Sequence, residues 1–183
     1  MAFPFYTIGH STRTIEEFVE LLRPVKVMLV VDIRSIPKSR TNPQYNQEVL
    51  PKHLAPYEID YVHSAKLGGL RSKSKEISVD VNGFWENASF HNYADYTLTE
   101  EFRAGLAQLI ELGRERQCAI MCAEAVWWRC HRRIVADSLL AHGESVFHLM
   151  GNARVEAAHL TQSAQIKTHG VVVYPAGQVE KKG

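Results

Sequence analysis

Cysteine is scarce in this chain: three residues, Cys118, Cys122 and Cys130, among 183. An odd number in a chain this long does not read as a disulfide framework. They form no CxxC pair, and no HExxH segment exists, so the common zinc and zincin signatures are excluded. No apolar run approaches the roughly 18 residues of a membrane span, and no membrane association is expected. The first residues, Met-Ala-Phe-Pro-Phe-Tyr, lack the charged and apolar regions of a secretory leader. The expected compartment is therefore the cytoplasm, with the thiols reduced. Charge of one sign is also missing. The formal net charge is +1, so total charge does not announce a nucleic-acid binder. There is no internal repeat and no linker.

What is present is a strand–helix alternation. Phe5 to Ile8 reads as a short apolar strand, and Gly9-His10-Ser11-Thr12 turns the chain. Thr14 and Glu17 have capping-box spacing, followed by Phe18, Leu21 and Leu22 at helical intervals. Val25 to Arg34 contains Val-Met-Leu-Val-Val, the near-continuous run of a strand buried on both faces. Ser35 to Asn46 is a loop. Gln47 to Leu54 is a helix candidate weakened by Pro51, and Ile59 to His63 alternates as a strand. Leu70 to Asn92 reads as long and irregular. Thr99 to Arg116 is an amphipathic helix, Cys118 to Cys122 a fourth strand and Trp127 to His142 a helix capped at Gly143. Ser145 to Met150 is a fifth strand, and Val171 to Tyr174 a late one. These elements predict an α/β fold: a single domain with a mostly parallel central sheet flanked by helices on both faces. Residues 1–150 form its body. Residues 151–183 are an extension packing on the same domain, with a frayed tail from Gln178.

In an open parallel sheet, functional groups lie beyond the carboxyl ends of the strands. The predicted ends deliver His10 and Ser11, Asp32 and Arg34, His63 and Lys66, Cys122 and Glu124, and His148. The most informative stretch is Cys130-His131-Arg132-Arg133, just before a predicted helix. Unpaired N–H groups at a helix start favour anions and thiolates. Basic residues gather at the same edge. Arg34, Lys38, Arg40, Lys66, Arg71, Lys73, Lys75, Arg129, Arg132 and Arg133 make ten of the 21 Lys and Arg. A nearly neutral protein then carries one basic rim, suited to phosphate or a polynucleotide.

Six segments carry a further signal in order: Thr7-Ile-Gly-His-Ser-Thr12, Val31-Asp-Ile-Arg-Ser-Ile-Pro37, Leu67-Gly-Gly69, Tyr93-Ala-Asp-Tyr96, Cys122-Ala-Glu124 and Cys130-His-Arg132. Together they resemble the domain of unknown function 488 family, over roughly Phe5 to Leu149. The resemblance implies a single α/β domain of bacterial or archaeal type. It implies no reaction.

The expected function is that of an enzyme acting on a phosphorylated ligand, a nucleotide or nucleic acid. Glu124 or Asp32 serves as general base, and His10, Cys130 and His131 complete the catalytic set. Ser11, Arg34, Arg40, Lys66, Arg132, Arg133 and Trp127 bind phosphate or substrate. Two alternatives stand beside it. One is a non-catalytic nucleic-acid-binding module using the same rim. The other is a cysteine-dependent thiol or sulfur-transfer enzyme. A divalent metal, if one binds, has Cys122, Cys130 and His131 as ligands. Cys118 cannot join Cys122 at one ion, since four strand residues span about 13 Å. Cysteine-phosphatase geometry fits poorly. The run from Cys122 to Arg129 is one residue too long, lacks glycine and carries Trp127 and Trp128.

Overall fold

A computed structural model describes residues 3–177. The predicted fraying from Gln178 falls outside the described residues. Six strands form the central sheet: β1 (Phe5–Gly9), β2 (Leu29–Asp32), β3 (Asp60–His63), β4 (Cys118–Cys122), β5 (Val146–Met150) and β6 (Arg154–Ala157). Their order is β3-β2-β4-β1-β5-β6. The first five are parallel neighbours, and β6 adds antiparallel to β5. The fold is a single-domain α/β structure.

The strand sequences explain this order. β2 and β4 are buried at every position, as central parallel strands must be. β3 lies at one edge and alternates exposed with half-buried residues. Side chains alternate between two cores. Val30, Ala119 and Met121 pack with α1 (Ile15–Leu22) and α2 (Leu50–Leu54). Leu29, Val31, Cys118, Ile120 and Cys122 pack with α3 (Ala88–Tyr96), α4 (Glu100–Glu115) and α5 (Arg132–Ala141). Each fully buried Leu or Phe in these layers stabilises the fold by about 1.5–3 kcal/mol.

Local signals set most helix ends. Thr14 and Glu17 form the predicted capping box. The Thr99 hydroxyl accepts from the Phe102 N–H at the start of α4. Gly143 has φ +81° just past α5, a left-handed position that suits glycine. Pro51 sits in the first turn of α2, where its missing N–H costs nothing.

Three expectations need correction. The irregular segment ends earlier than expected, because Asn87 caps α3 through the N–H groups of Ser89 and Phe90. The helix expected from Trp127 begins at Arg132. Cys130 is extended (φ −130°, ψ 148°), which separates a 3-10 turn at Trp127–Arg129 from α5. The extension contains more strand than expected: β6, and a small antiparallel pair, β7 (Gln165–Ile166) and β8 (Val172–Val173). It packs on the body through the Asp137 carboxylate, which accepts from Tyr174 Oη–H (2.7 Å) and the Thr161 N–H (3.0 Å).

Candidate functional site

The loops after β2, β3 and β4 and the starts of α3 and α5 enclose a cleft of about 430 Å³. Arg34, Lys38, Gly69, Phe90, Cys122, Glu124, Arg129, Cys130 and His131 are among the residues that line it. Its outer wall is clasped in place. Tyr93 and Tyr96 donate to the Leu67 and Lys66 carbonyls at 2.8 and 2.6 Å, and the Arg71 guanidinium lies 3.7 Å over the Tyr96 ring. Two glycines allow close approach. A Cβ on Gly9 would sit 1.6 Å from the Glu124 carbonyl oxygen, so only glycine lets the chain after β4 cross the end of β1. A Cβ on Gly69 would lie within 3 Å of three atoms of the His131 ring.

At the cleft floor, His131 Nε2–H donates to the Ile33 carbonyl at 2.9 Å. That bond fixes the tautomer and leaves Nδ1 as an acceptor, 3.6 Å from Cys130 Sγ. Burial lowers the His131 pKa and so favours the neutral ring. The Tyr93 ring packs edge-on against the same imidazole, at 4.9 Å between centroids.

Behind these residues lies Arg132, 0% exposed. It forms no ion pair with any carboxylate among the described residues. Its Nε–H donates to Thr7 Oγ1 (3.2 Å) and its Nη1–H to the Glu124 carbonyl (2.6 Å). Nη1 also lies against Cys122 Sγ, and the Arg132 backbone N–H donates to Cys130 Sγ at 3.4 Å. The Cys122 thiol donates to the Glu124 carbonyl at 3.9 Å, and Cys122 and Cys130 lie near enough to shift each other's pKa. Burial pushes Cys130 up. The neighbouring Cys122 thiol, the Arg132 charge and the Arg132 N–H outweigh it, and the Cys130 pKa falls below that of an ordinary thiol. Burial drives Cys122 well up, and Cys130 adds to that. Cys130 is therefore the first of the two thiols to ionise. Cys118 stands apart, pushed up to about 11 by burial.

The remaining predicted residues divide clearly. Glu124 is exposed and lines the cleft. Asp32 does not line it. Its carboxylate accepts from Arg34 Nε–H (2.9 Å) and Nη2–H (2.7 Å), from the Arg34 N–H and from Tyr61 Oη–H. It is fully buried and has no free lone pair for a general base. Arg34 reaches the cleft wall, but Asp32 and the Tyr45 carbonyl hold its guanidinium. His10 lies outside the cleft, stacked on Tyr45 at 4.2 Å, and donates from Nδ1 to the Ser11 carbonyl. Burial lowers its pKa to about 4. Ser11 is held in the turn, where its N–H donates to the Ala123 carbonyl.

Arg40 is exposed away from the cleft, and Lys66 packs beside Gly105. Arg133 donates to Thr161 and lies over the Trp85 and Trp127 rings. Trp127 stacks on His148 and donates to Glu156. Arg132 is buried too deeply, and is too fully engaged with carbonyls and thiols, to hold phosphate. Cys122, Cys130 and His131 do meet. However, a guanidinium lies against the Cys122 sulfur, where a metal would place its own positive charge. Among the described residues no group of three or more His, Cys, Asp or Glu is arranged to hold a metal ion. No helix among them is long and apolar enough to cross a membrane.

Sequence reasoning missed Thr7, which binds Arg132, and Phe90 and Leu70, which line the cleft. Thr7 had a signal: a hydroxyl inside an apolar strand requires a buried partner. Phe90 and Leu70 had none, since the segment holding them gives no readable period.

No curated protein and no solved structure matches the chain. A family model does match, over residues 14–139, a span that includes the end of β2, all of β4 and the Cys130-His131-Arg132 segment. By that match the chain belongs to the family described as Domain of unknown function DUF488.

Proposed function

We propose that this chain is a cysteine-dependent enzyme acting on an anionic ligand, with Cys130 as nucleophile and His131 as its base. The observation that carries the reading is the line of groups from the Ile33 carbonyl through His131 to Cys130 Sγ at the cleft floor. A carbonyl that orients a histidine, which in turn faces a thiol, is the arrangement nucleophilic catalysis needs. The Arg132 N–H and the Cys122 thiol hold the resulting thiolate. His131 takes the Cys130 proton at Nδ1 and returns it to the leaving group. Glu124, exposed on the same cleft, is suited to activate the water that releases a covalent adduct.

Lys38 and Arg129 line the cleft and take part in no ion pair among the described residues. They favour an anionic ligand, and a phosphorylated one, whether nucleotide or nucleic acid, suits their charge.

The test is iodoacetamide labelling of the folded protein at pH 7, read by intact mass and peptide mapping. Cys130 should label first, and faster than a cysteine of the unfolded chain. Cys130→Ser should remove the fast adduct, and His131→Gln should slow its formation. A Cys130 no more reactive than an unfolded thiol ends the reading. In a second arm, adenosine monophosphate should slow labelling. Without protection, the phosphorylated ligand is rejected and the thiol chemistry stands.

A further inference from the structure

The mechanism above uses one thiol of a pair. Cys122 lies at the end of β4 and lines the same cleft as Cys130, near enough that each thiol perturbs the other. Both sulfurs contact the same buried arginine, one through its guanidinium and the other through its backbone N–H. We propose that Cys122 is the resolving partner of Cys130 in a redox pair that a hydroperoxide converts to a disulfide. This rests on the reading of Cys130 as a nucleophile.

The chemistry balances with hydrogen peroxide as the oxidant. The Cys130 proton passes to His131 Nδ1, and the thiolate attacks one peroxide oxygen. An S–O bond forms, the O–O bond breaks and the departing hydroxide takes the proton from His131 to become water. Sulfur is oxidised by two electrons and the peroxide is reduced. Cys122 then attacks the Cys130 sulfur. The S–S bond forms, the S–O bond breaks and the second hydroxide leaves as water with the Cys122 proton.

Cys118 is excluded as the partner. It shares a face of β4 with Cys122 but lies about 13 Å along the strand, at about 3.3 Å per residue. Its thiol instead donates to the Arg116 carbonyl.

Arg132 gives the pair a direction. In the reduced state Cys130 can ionise and supply the buried cation with an anion. In the disulfide no anion remains, and only neutral acceptors are left: Thr7 Oγ1 and the Glu124 and Ala125 carbonyls. A buried charge without a counter-charge is costly, so the oxidised form is raised relative to the reduced one. The disulfide is then easily reduced, and a thiol such as glutathione recycles the site.

The experiment treats the full chain with one equivalent of hydrogen peroxide. The protein is then alkylated under denaturing conditions and mapped by mass spectrometry. The expected result is a Cys122–Cys130 disulfide, with Cys118 alkylated and both bridged thiols restored by millimolar glutathione. Cys122→Ser should lose the disulfide and instead trap Cys130 sulfenic acid as a dimedone adduct. Two outcomes overturn the proposal: direct oxidation of Cys130 to the sulfinic acid while Cys122 stays free, or no oxidation of either. Iodoacetamide labelling of the untreated protein runs in parallel. Fast Cys130 labelling without a disulfide removes only the resolving role of Cys122. Absent labelling removes the nucleophile itself.

Discussion

Two arginines are buried at the carboxyl edge of the sheet, and they live under opposite rules. Arg34 follows β2 and is matched by Asp32, which accepts two of its guanidinium N–H groups. Arg132 begins α5 and has two thiols, a hydroxyl and carbonyls, but no carboxylate among the described residues. Taking a cation out of water is expensive unless something compensates it. At Arg34 the compensation is permanent, so that pair is structural and holds the loop after β2. At Arg132 it depends on whether a thiol gives up its proton. The carboxylate-free region is therefore the one whose charge state chemistry can change.

The comparison breaks most visibly at Asp32. Removing one member of a buried ion pair strands the other, at about 3–5 kcal/mol. Asp32→Ala should lower unfolding stability by that order in a urea titration, and Tyr61 should lose its partner as well. A loss under about 1 kcal/mol, the range of exposed pairs, would mean that Arg34 is not bound as described.

Each arginine also has a neutral histidine beside it, and acid should tell the two apart. His10 Nε2 lies 3.3 Å from Arg34 Nη1, and His148 Nδ1 lies 2.6 Å from Thr7 Oγ1, which binds Arg132. Burial chiefly lowers both, His10 to about 4 and His148 to about 3. The bond to the Ser11 carbonyl and, against the Arg34 charge, the Asp32 carboxylate partly lift His10, whereas Arg132 pushes His148 further down with nothing to offset it. Between the unfolded value near 6.5 and these folded values, the unfolded chain binds more protons. The stability contributed by the neutral rings is thus complete above about pH 6.5 and drains away as pH falls toward 4 and 3. Tm measured from pH 7 to pH 4 should fall steadily, and His148→Gln should flatten the slope more than His10→Gln. Equal slopes in all three proteins would show that the two arginines impose the same field.

The sheet was legible because its strands are short apolar runs between turn residues, with capping signals at Thr14 and Thr99. α3 was not, because Ser, Asn and Asp dilute its period and its aromatic residues serve the loop beside it rather than a plain core. The location of the cleft was legible from the chain order of strand ends. Which side chains occupy it was not. Asp32 and Arg34 are two residues apart, and nothing in Asp-Ile-Arg says that they bind each other rather than a ligand. Arg132 resembled a surface cation because it sits among Arg129 and Arg133. Only the packing of α5 against β4 and β5 turns it inward to Thr7 and Cys122.

The subtlest break replaces Arg132 by Met, which keeps much of the side-chain volume and removes the charge. Deleting a buried cation that has no carboxylate leaves no opposite charge stranded, so the stability change should be small or even favourable. The loss should appear in the chemistry. Without the guanidinium, the Cys130 thiolate has only Cys122 and a backbone N–H to hold it, and its pKa should rise. A rise of one unit means about tenfold less thiolate below the pKa, and labelling at pH 7 should slow by about that factor. The rate-against-pH curve should move as a whole toward alkaline pH, while the limiting rate at high pH stays near that of the parent. That shift separates an electrostatic role for Arg132 from a packing one. A packing role would lower the plateau and leave the midpoint in place, and Arg132 would then be no different in kind from Arg34.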